Sequence, residues 1–192
     1  IYHLYNRGTN GEDLFLTRRD YIHFLKRYKR YVEPVAETYA YCLLKNHFHL
    51  MVRTRTLEEQ RGWAGAMSVR RPPNALSPSR QFARLFGTYA QAFNERYGRT
   101  GSLFEHPFHR IPVEDESYLY HLVVYIHRNP QLHGFVNDFR HWPYASFRAI
   151  ISDRPSRIQR DTVLGWFDGR VGFLEAHKTE ADVDLIASLI VE

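Results

Sequence analysis

Two sets of side chains in this chain could do chemistry together. The first lies in the run from Tyr39 to Val52, whose centre reads Asn46-His47-Phe48-His49-Leu50. The run is aromatic, apolar or β-branched at most positions, which predicts a strand over at least part of it. Side chains alternate along a strand, so His47 and His49 share one face and Phe48 enters a core on the other. Two imidazoles on a rigid strand are half of a metal site. Two ligands alone fix no metal, and a bare His-x-His also suits the wet face of an amphipathic strand. The second set is His121, Tyr125 and Asn129, which recur every four residues beside the apolar stripe Leu119, Leu122, Val123 and Ile126. That spacing predicts a helix over 115–129, with Asp115 or Ser117 as cap and Pro130 as stop. The polar line flanks the stripe and so faces a crevice where helix meets sheet. With strand and helix opposed, a metal could be held by His47, His49 and the Asn129 amide oxygen. Tyr125, one turn before Asn129, would then point its phenol at a phosphate. A phenol with a pKa near 10 becomes a usable nucleophile only where the phosphoryl group is polarised.

The elements that must hold these groups can be read in order. Ile1 to Arg7 alternates as a first strand, and Gly8 to Gly11 is a loop. Thr17 with Asp20 resembles a capping box before Tyr21, Phe24, Leu25, Tyr28 and Val32, an amphipathic helix that Pro34 ends. Its other face carries Lys26, Arg27, Lys29 and Arg30, a solvated face by default that could touch phosphate. Residues 35–44 and 47–53 read as two strands joined at Lys45-Asn46, an antiparallel hairpin. A helix is expected over 57–67. The stretch 69–80, with three prolines and three arginines including Arg70, Arg71 and Arg80, reads as a mobile basic loop. Phe82, Leu85, Phe86, Tyr89 and Phe93 predict a helix over 79–97. After the turn Gly98 to Gly101, residues 102–113 read as one or two strands, with Pro107 marking a bulge or edge. Beyond Trp142 to Phe147, which should pack back on the core, Arg154 to Arg160 reads as a basic linker and 161–192 as two short helices. A strand, helix, strand, strand, helix, strand, helix order suits a single antiparallel sheet with helices on one face, an α+β ferredoxin-like fold.

Bulk properties narrow the class. A chain of 192 residues that is 44% hydrophobic and 15% aromatic fits one domain with a small appendage. Lys plus Arg number 26 against 21 Asp plus Glu, a formal +5 that favours a polyanionic partner. The lone Cys42 excludes an internal disulfide and any multi-cysteine zinc site, and in an apolar strand it reads as a buried structural thiol suited to a reducing cytosol. No apolar run approaches the roughly 20 residues of a membrane span. No signal peptide is recognised, and the chain opens at Ile1 already in a strand-like pattern, as if a few residues preceded it.

Asn46-His47-Phe48-His49-Leu50 resembles the HUH motif of the single-tyrosine transposases. Tyr125-Ile126-His127-Arg128-Asn129-Pro130, followed by His133-Gly134, resembles the tyrosine helix of the REP-associated tyrosine transposases (IS200-like) within that superfamily. Gly98 to Phe104 is similar to the family's segment before its fourth strand. The resemblance spans residues 1–150, leaving 151–192 as a C-terminal helical extension. It implies the HUH endonuclease fold and nicking and joining of single-stranded DNA through a 5′-phosphotyrosine with a free 3′-hydroxyl. It also implies Mg²⁺ or Mn²⁺ as cofactor and hairpins of short palindromic repeats as substrate. Carried over, His47 and His49 are metal ligands, Asn129 is the third ligand and Tyr125 is the nucleophile. Lys45 departs from the proline usual before the asparagine, which alters the turn without removing a ligand. Arg7, Arg99 and Arg110, with Arg70 and Arg71 of the basic loop, are candidate phosphate contacts. Tyr2, Tyr5, Tyr118 and Tyr120 lack an Asn or Gln one turn on, and His121 and His127 read as structural or DNA-facing.

The expected function is thus a DNA strand transferase, associated with DNA in a bacterial cytoplasm, as a monomer or homodimer. Two other classes compete: a DNA-binding protein that does no chemistry, and a metal-dependent phosphodiesterase in which water attacks. Ligands and nucleophile together favour the first, since a binding module needs neither.

Overall fold

The computed structural model describes residues 1–68, 75–105 and 107–178. Four strands form one sheet: β1 (Tyr2–Arg7), β2 (Ala36–Leu43), β3 (His47–Thr54) and β4 (His109–Pro112). Their order is β2-β3-β1-β4 and every pairing is antiparallel. With α1 (Arg18–Tyr31) between β1 and β2, and α2 (Leu57–Ala66) and α3 (Pro78–Tyr97) between β3 and β4, this is the ferredoxin-like arrangement expected. Helix α4 (Glu116–Leu132) follows β4, and three short helices complete the described chain: α5 (Phe147–Ile151), α6 (Arg160–Trp166) and α7 (Arg170–Ala176).

The helices do not lie on one face, as the order of elements suggested. Phe48, Leu50 and Val52 of β3 pack with Phe24 of α1 and Leu85, Phe86 and Tyr89 of α3. Met51, on the other side of the same strand, packs with Leu122, Val123 and Ile126 of α4. A strand that is buried at five consecutive positions, Phe48 to Val52, has to be covered on both faces. Val163, Phe167 and Phe173 of α6 and α7 join the core on the α4 side.

Local chemistry explains the element ends. Asp20 accepts the backbone N–H of Thr17 at 2.8 Å and so caps α1. The same carboxylate, fully buried, receives Arg96 at 2.5 Å and the Tyr97 hydroxyl at 2.8 Å, tying α1 to the end of α3. Ser77 caps α3 with Pro78 in the first turn, so the end of the expected basic loop is helical. Arg70 and Arg71 lie outside the described residues.

Three expectations need correcting. Pro130 does not stop α4, which continues to Leu132. A proline in the last turn forfeits one hydrogen bond, and the carbonyls after it are satisfied by a Schellman end. There Phe135 N–H reaches Pro130 C=O at 2.9 Å and Gly134 N–H reaches Gln131 C=O at 3.0 Å, with Gly134 at φ 69°. The stretch 102–113 yields only the short edge strand β4, after Pro107, plus a bridge from Phe104 to Gly8. The basic linker is not free: Ile158 pairs with Thr38 and Ala145 with Cys42, so both segments cover the outer edge of β2. Among the described residues, no helix is long and apolar enough to cross a membrane.

Candidate active site

Strand alternation puts His47 and His49 on the α4 face, and the register adds neighbours from β1 and β4. Arg7 lies opposite His47, Tyr5 opposite His49, and His109 opposite Tyr5. These side chains, with Asn46 and His133, line a cleft of about 530 Å³.

Helix α4 lies behind the two histidines. Asn129 is fully buried, and its Oδ1 lies 3.0 Å from His47 Nε2. On the far side of the ring, His47 Nδ1 lies 2.8 Å from Asn46 Oδ1. One turn before Asn129, the Tyr125 ring stands edge-on to His49, centroids 5.4 Å apart at 81°. His49 in turn meets His3 through Nδ1 at 3.1 Å. His133 extends the line of four-residue spacings because its N–H still bonds the Asn129 carbonyl, and its ring packs on His47 at 4.7 Å.

Two imidazoles and an amide oxygen would make a mixed nitrogen and oxygen donor set, one that could take a divalent first-row ion. Among the described residues, no three His, Cys, Asp or Glu side chains form a metal-holding group, so a set built on the two histidines would draw on an amide, water or phosphate oxygen. Adjacent ligands of an octahedral ion at about 2.1 Å sit about 3 Å apart. The His47 Nε2 to Asn129 Oδ1 separation of 3.0 Å matches that edge. With Nδ1–H donated to Asn46 Oδ1, Nε2 would turn a lone pair towards Asn129 Oδ1; with Nε2–H donated to Asn129, the same 3.0 Å is an ordinary hydrogen bond.

The candidate phosphate contacts separate. Arg7 stands at the cleft, more than half exposed and paired with Glu105 at 2.9 Å. Arg99 is occupied in holding the Gly98 to Ser102 loop, bonding Asn94 at 3.0 Å and pairing with Glu12. Arg110 lies opposite Leu4, on the sheet face turned away from the histidines, beside Phe82 and Phe108. Lys26 and Lys29 border a larger groove of about 920 Å³ between α1 and β2, which contains none of the cleft side chains. His127 is fully buried and bonded within the core, and His121 is half-buried. Burial pushes the Cys42 thiol well above its ordinary range, as befits a structural residue. Sequence reasoning passed over His3, Tyr5 and His109 as site neighbours. Their signal was the alternation His3, Tyr5, Arg7 in β1, which means little until the register with β3 is known.

The ferredoxin-like sheet thus sets a His-x-His pair against a tyrosine and an asparagine one turn apart. Comparison with known proteins gives a relative in sequence and a neighbour in fold. No protein-family model matches the chain. A protein of Haemophilus influenzae, provisionally named a REP-associated tyrosine transposase, is 29% identical over 133 residues, 67% of this chain and 69% of that protein. A solved structure of a REP-associated tyrosine transposase bound to a REP hairpin superposes with a TM-score of 0.55, covering 80% of this chain and 81% of that one. Sequence identity there is 17%, so that likeness is one of fold. The resemblance carried by the two motifs is therefore borne out by a relative in sequence and a neighbour in fold.

Proposed function

We propose that this chain nicks and joins single-stranded DNA at hairpins, using Tyr125 as nucleophile and a divalent metal held by His47, His49 and Asn129. The contact that carries this reading is His47 Nε2 against Asn129 Oδ1 at 3.0 Å, with Tyr125 one helical turn away beside His49. Mg²⁺ or Mn²⁺ bound there would neutralise charge on the phosphoryl oxygens. Imidazole favours Mn²⁺ on affinity, while supply favours Mg²⁺ in the cell. The Tyr125 oxygen attacks phosphorus and loses its proton to solvent. The bond to the 3′-side oxygen breaks, and that oxygen leaves as a 3′-hydroxyl on taking up a proton. The 5′-phosphotyrosine conserves the phosphodiester, so attack by a second 3′-hydroxyl rejoins the strand. Asn46 holds the His47 ring, and His3 holds His49. Arg7 at the cleft is the phosphate contact best placed for this chemistry, whereas Arg99 and Arg110 lie outside the cleft.

A hairpin substrate fits the likeness to a transposase solved with a REP hairpin; the same proposal puts the chain on DNA in a bacterial cytoplasm. The test is incubation with end-labelled hairpin DNA, with and without Mn²⁺ or Mg²⁺, followed by a denaturing gel. A protein–DNA adduct that requires metal is the expected result. Cleavage without adduct would instead make water the nucleophile, and retention without product would make the chain a binding protein.

A further inference from the structure

The back of α4 is held as specifically as its front. Two residues along a helix turn about 200°, so His127 projects away from the side that carries Tyr125 and Asn129. There it enters an unbroken chain of hydrogen bonds through the core. His177, just after α7, donates Nδ1–H to the Phe173 carbonyl at 2.7 Å. A carbonyl only accepts, so His177 Nε2 carries the lone pair and takes Nδ1–H of His127 at 2.9 Å. His127 Nε2 then accepts from the Ser146 hydroxyl at 2.8 Å, and Ser146 Oγ accepts the Tyr41 N–H of β2 at 2.9 Å. Each tautomer follows from the next acceptor. His127 and Ser146 are fully buried and His177 is 4% exposed, so water does not compete. The neighbouring Arg128 adds a second tie, from its guanidinium to the His177 carbonyl at 3.1 Å.

We propose that the His127–His177 pair is a positioning clamp through which the C-terminal segment sets the rotation of α4, and so places Tyr125 and Asn129 against His49 and His47. This rests on the function proposed above for those four residues. Apolar packing alone tolerates small rotations of a helix, whereas a directional bond from its far side does not. A tyrosine oxygen lies about 6 Å or more from the helix axis, so a rotation of about 10° moves it about 1 Å. Misplacement of that size can cost on the order of a hundredfold in rate. His177 touches none of the proposed reacting groups; its role is to hold.

The test compares His177→Leu and His177→Gln with the unaltered protein, the leucine filling space without an acceptor and the glutamine restoring an oxygen near Nε2. Turnover and KM for hairpin DNA are measured with hydrogen exchange of residues 118–133 and of the β3 and α1 amides. The expected result for His177→Leu is a 10- to 100-fold loss of turnover at nearly constant KM, with faster exchange confined to α4, and substantial recovery of both in His177→Gln. A folded His177→Leu protein with unchanged turnover and unchanged α4 exchange overturns the clamp. So does loss spread over the whole exchange map in both variants, which marks plain destabilisation. If the unaltered protein neither cleaves nor forms an adduct, the function proposed above fails, while the exchange data still decide whether His177 holds α4.

Discussion

At the scale of single residues, the site depends on groups that reach one another only across strand and helix. Tyr125 supplies an oxygen and little else that phenylalanine lacks. Tyr125→Phe should therefore abolish adduct formation, lowering cleavage by at least about a thousandfold, while hairpin affinity stays within about twofold. A gel-shift titration beside a cleavage time course separates the two, and near-normal cleavage would remove Tyr125 from the mechanism. His47 differs, since it meets Asn129 and Asn46 at once. On the proposed mechanism, His47→Ala or His49→Ala should lose metal-dependent cleavage, because the two ligands left would hold a divalent cation poorly. Cleavage by the unaltered protein that persists in excess chelator would contradict a metal role.

Elements matter here through the turns that deliver those residues. Gly8 follows β1, and its N–H bonds the Asn46 carbonyl at 2.8 Å, just before His47. Its backbone angles are ordinary, but a Cβ there would lie 1.9 Å from the Glu12 carbonyl oxygen. Gly8→Ala should therefore push the 8–12 turn off Asn46, costing about 2 kcal/mol and weakening metal-dependent cleavage. Urea denaturation and an Mn²⁺ titration would show both effects, and an unchanged variant would mean the turn gives way freely. Asp20 joins α1 to α3 in a similar way. Burial raises its pKa, but bonds from Tyr97, Thr17 and Arg96 together outweigh that and hold it below its ordinary value. Asp20→Ala should cost about 3 kcal/mol, measured by thermal or urea unfolding, because Arg96 and Tyr97 lose a buried acceptor.

For the molecule as a whole, the buried histidines make stability depend on pH. Desolvation holds His127 well below its ordinary range and pushes His177 down to about 4, the carbonyl of Phe173 partly opposing this and Arg128 adding to it. Both stay neutral when folded, while the unfolded chain takes up protons near pH 6.5. The stability they allow is complete above that pH and falls as pH drops from 6.5 towards 4, by up to about 1.4 kcal/mol per pH unit for each histidine. Asp20 acts in the same sense lower down: its depressed pKa stabilises the fold above about pH 4 and is lost below it. Urea midpoints at pH 7.5, 6.0 and 5.0 should fall in that order, and a flat profile would mean the pair is not desolvated in solution. The formal charge of +5 is modest for wrapping a long duplex. Binding should favour a hairpin with an unpaired flank over the same site fully paired, and weaken with salt. Equal cleavage of both forms in competition at matched salt would refute that preference.

Much was legible in the residues alone because it rests on periodicity and local chemistry. The alternation around His47 and His49, the four-residue line through Tyr125 and Asn129, and the Thr17–Asp20 cap each need only a few neighbouring positions. The strand and helix order pointed to a ferredoxin-like sheet for the same reason. What tertiary structure decided were relations between distant segments. Whether helices cover one sheet face or two depends on where α4 returns after β4. Pro130 can sit in the last turn of α4 because residues 133–136 return to the carbonyls of Asn129, Pro130 and Gln131 and close the helix beyond it. Arg7 and Arg110 look alike as basic positions in strands, yet the register turns one into the cleft and the other onto the opposite face. His127 and His177 stand 50 positions apart, and only the packing of α7 against α4 brings their nitrogens to 2.9 Å. Local patterns set which element forms and which side chains share its face; which faces then meet is settled by burial summed over the whole chain.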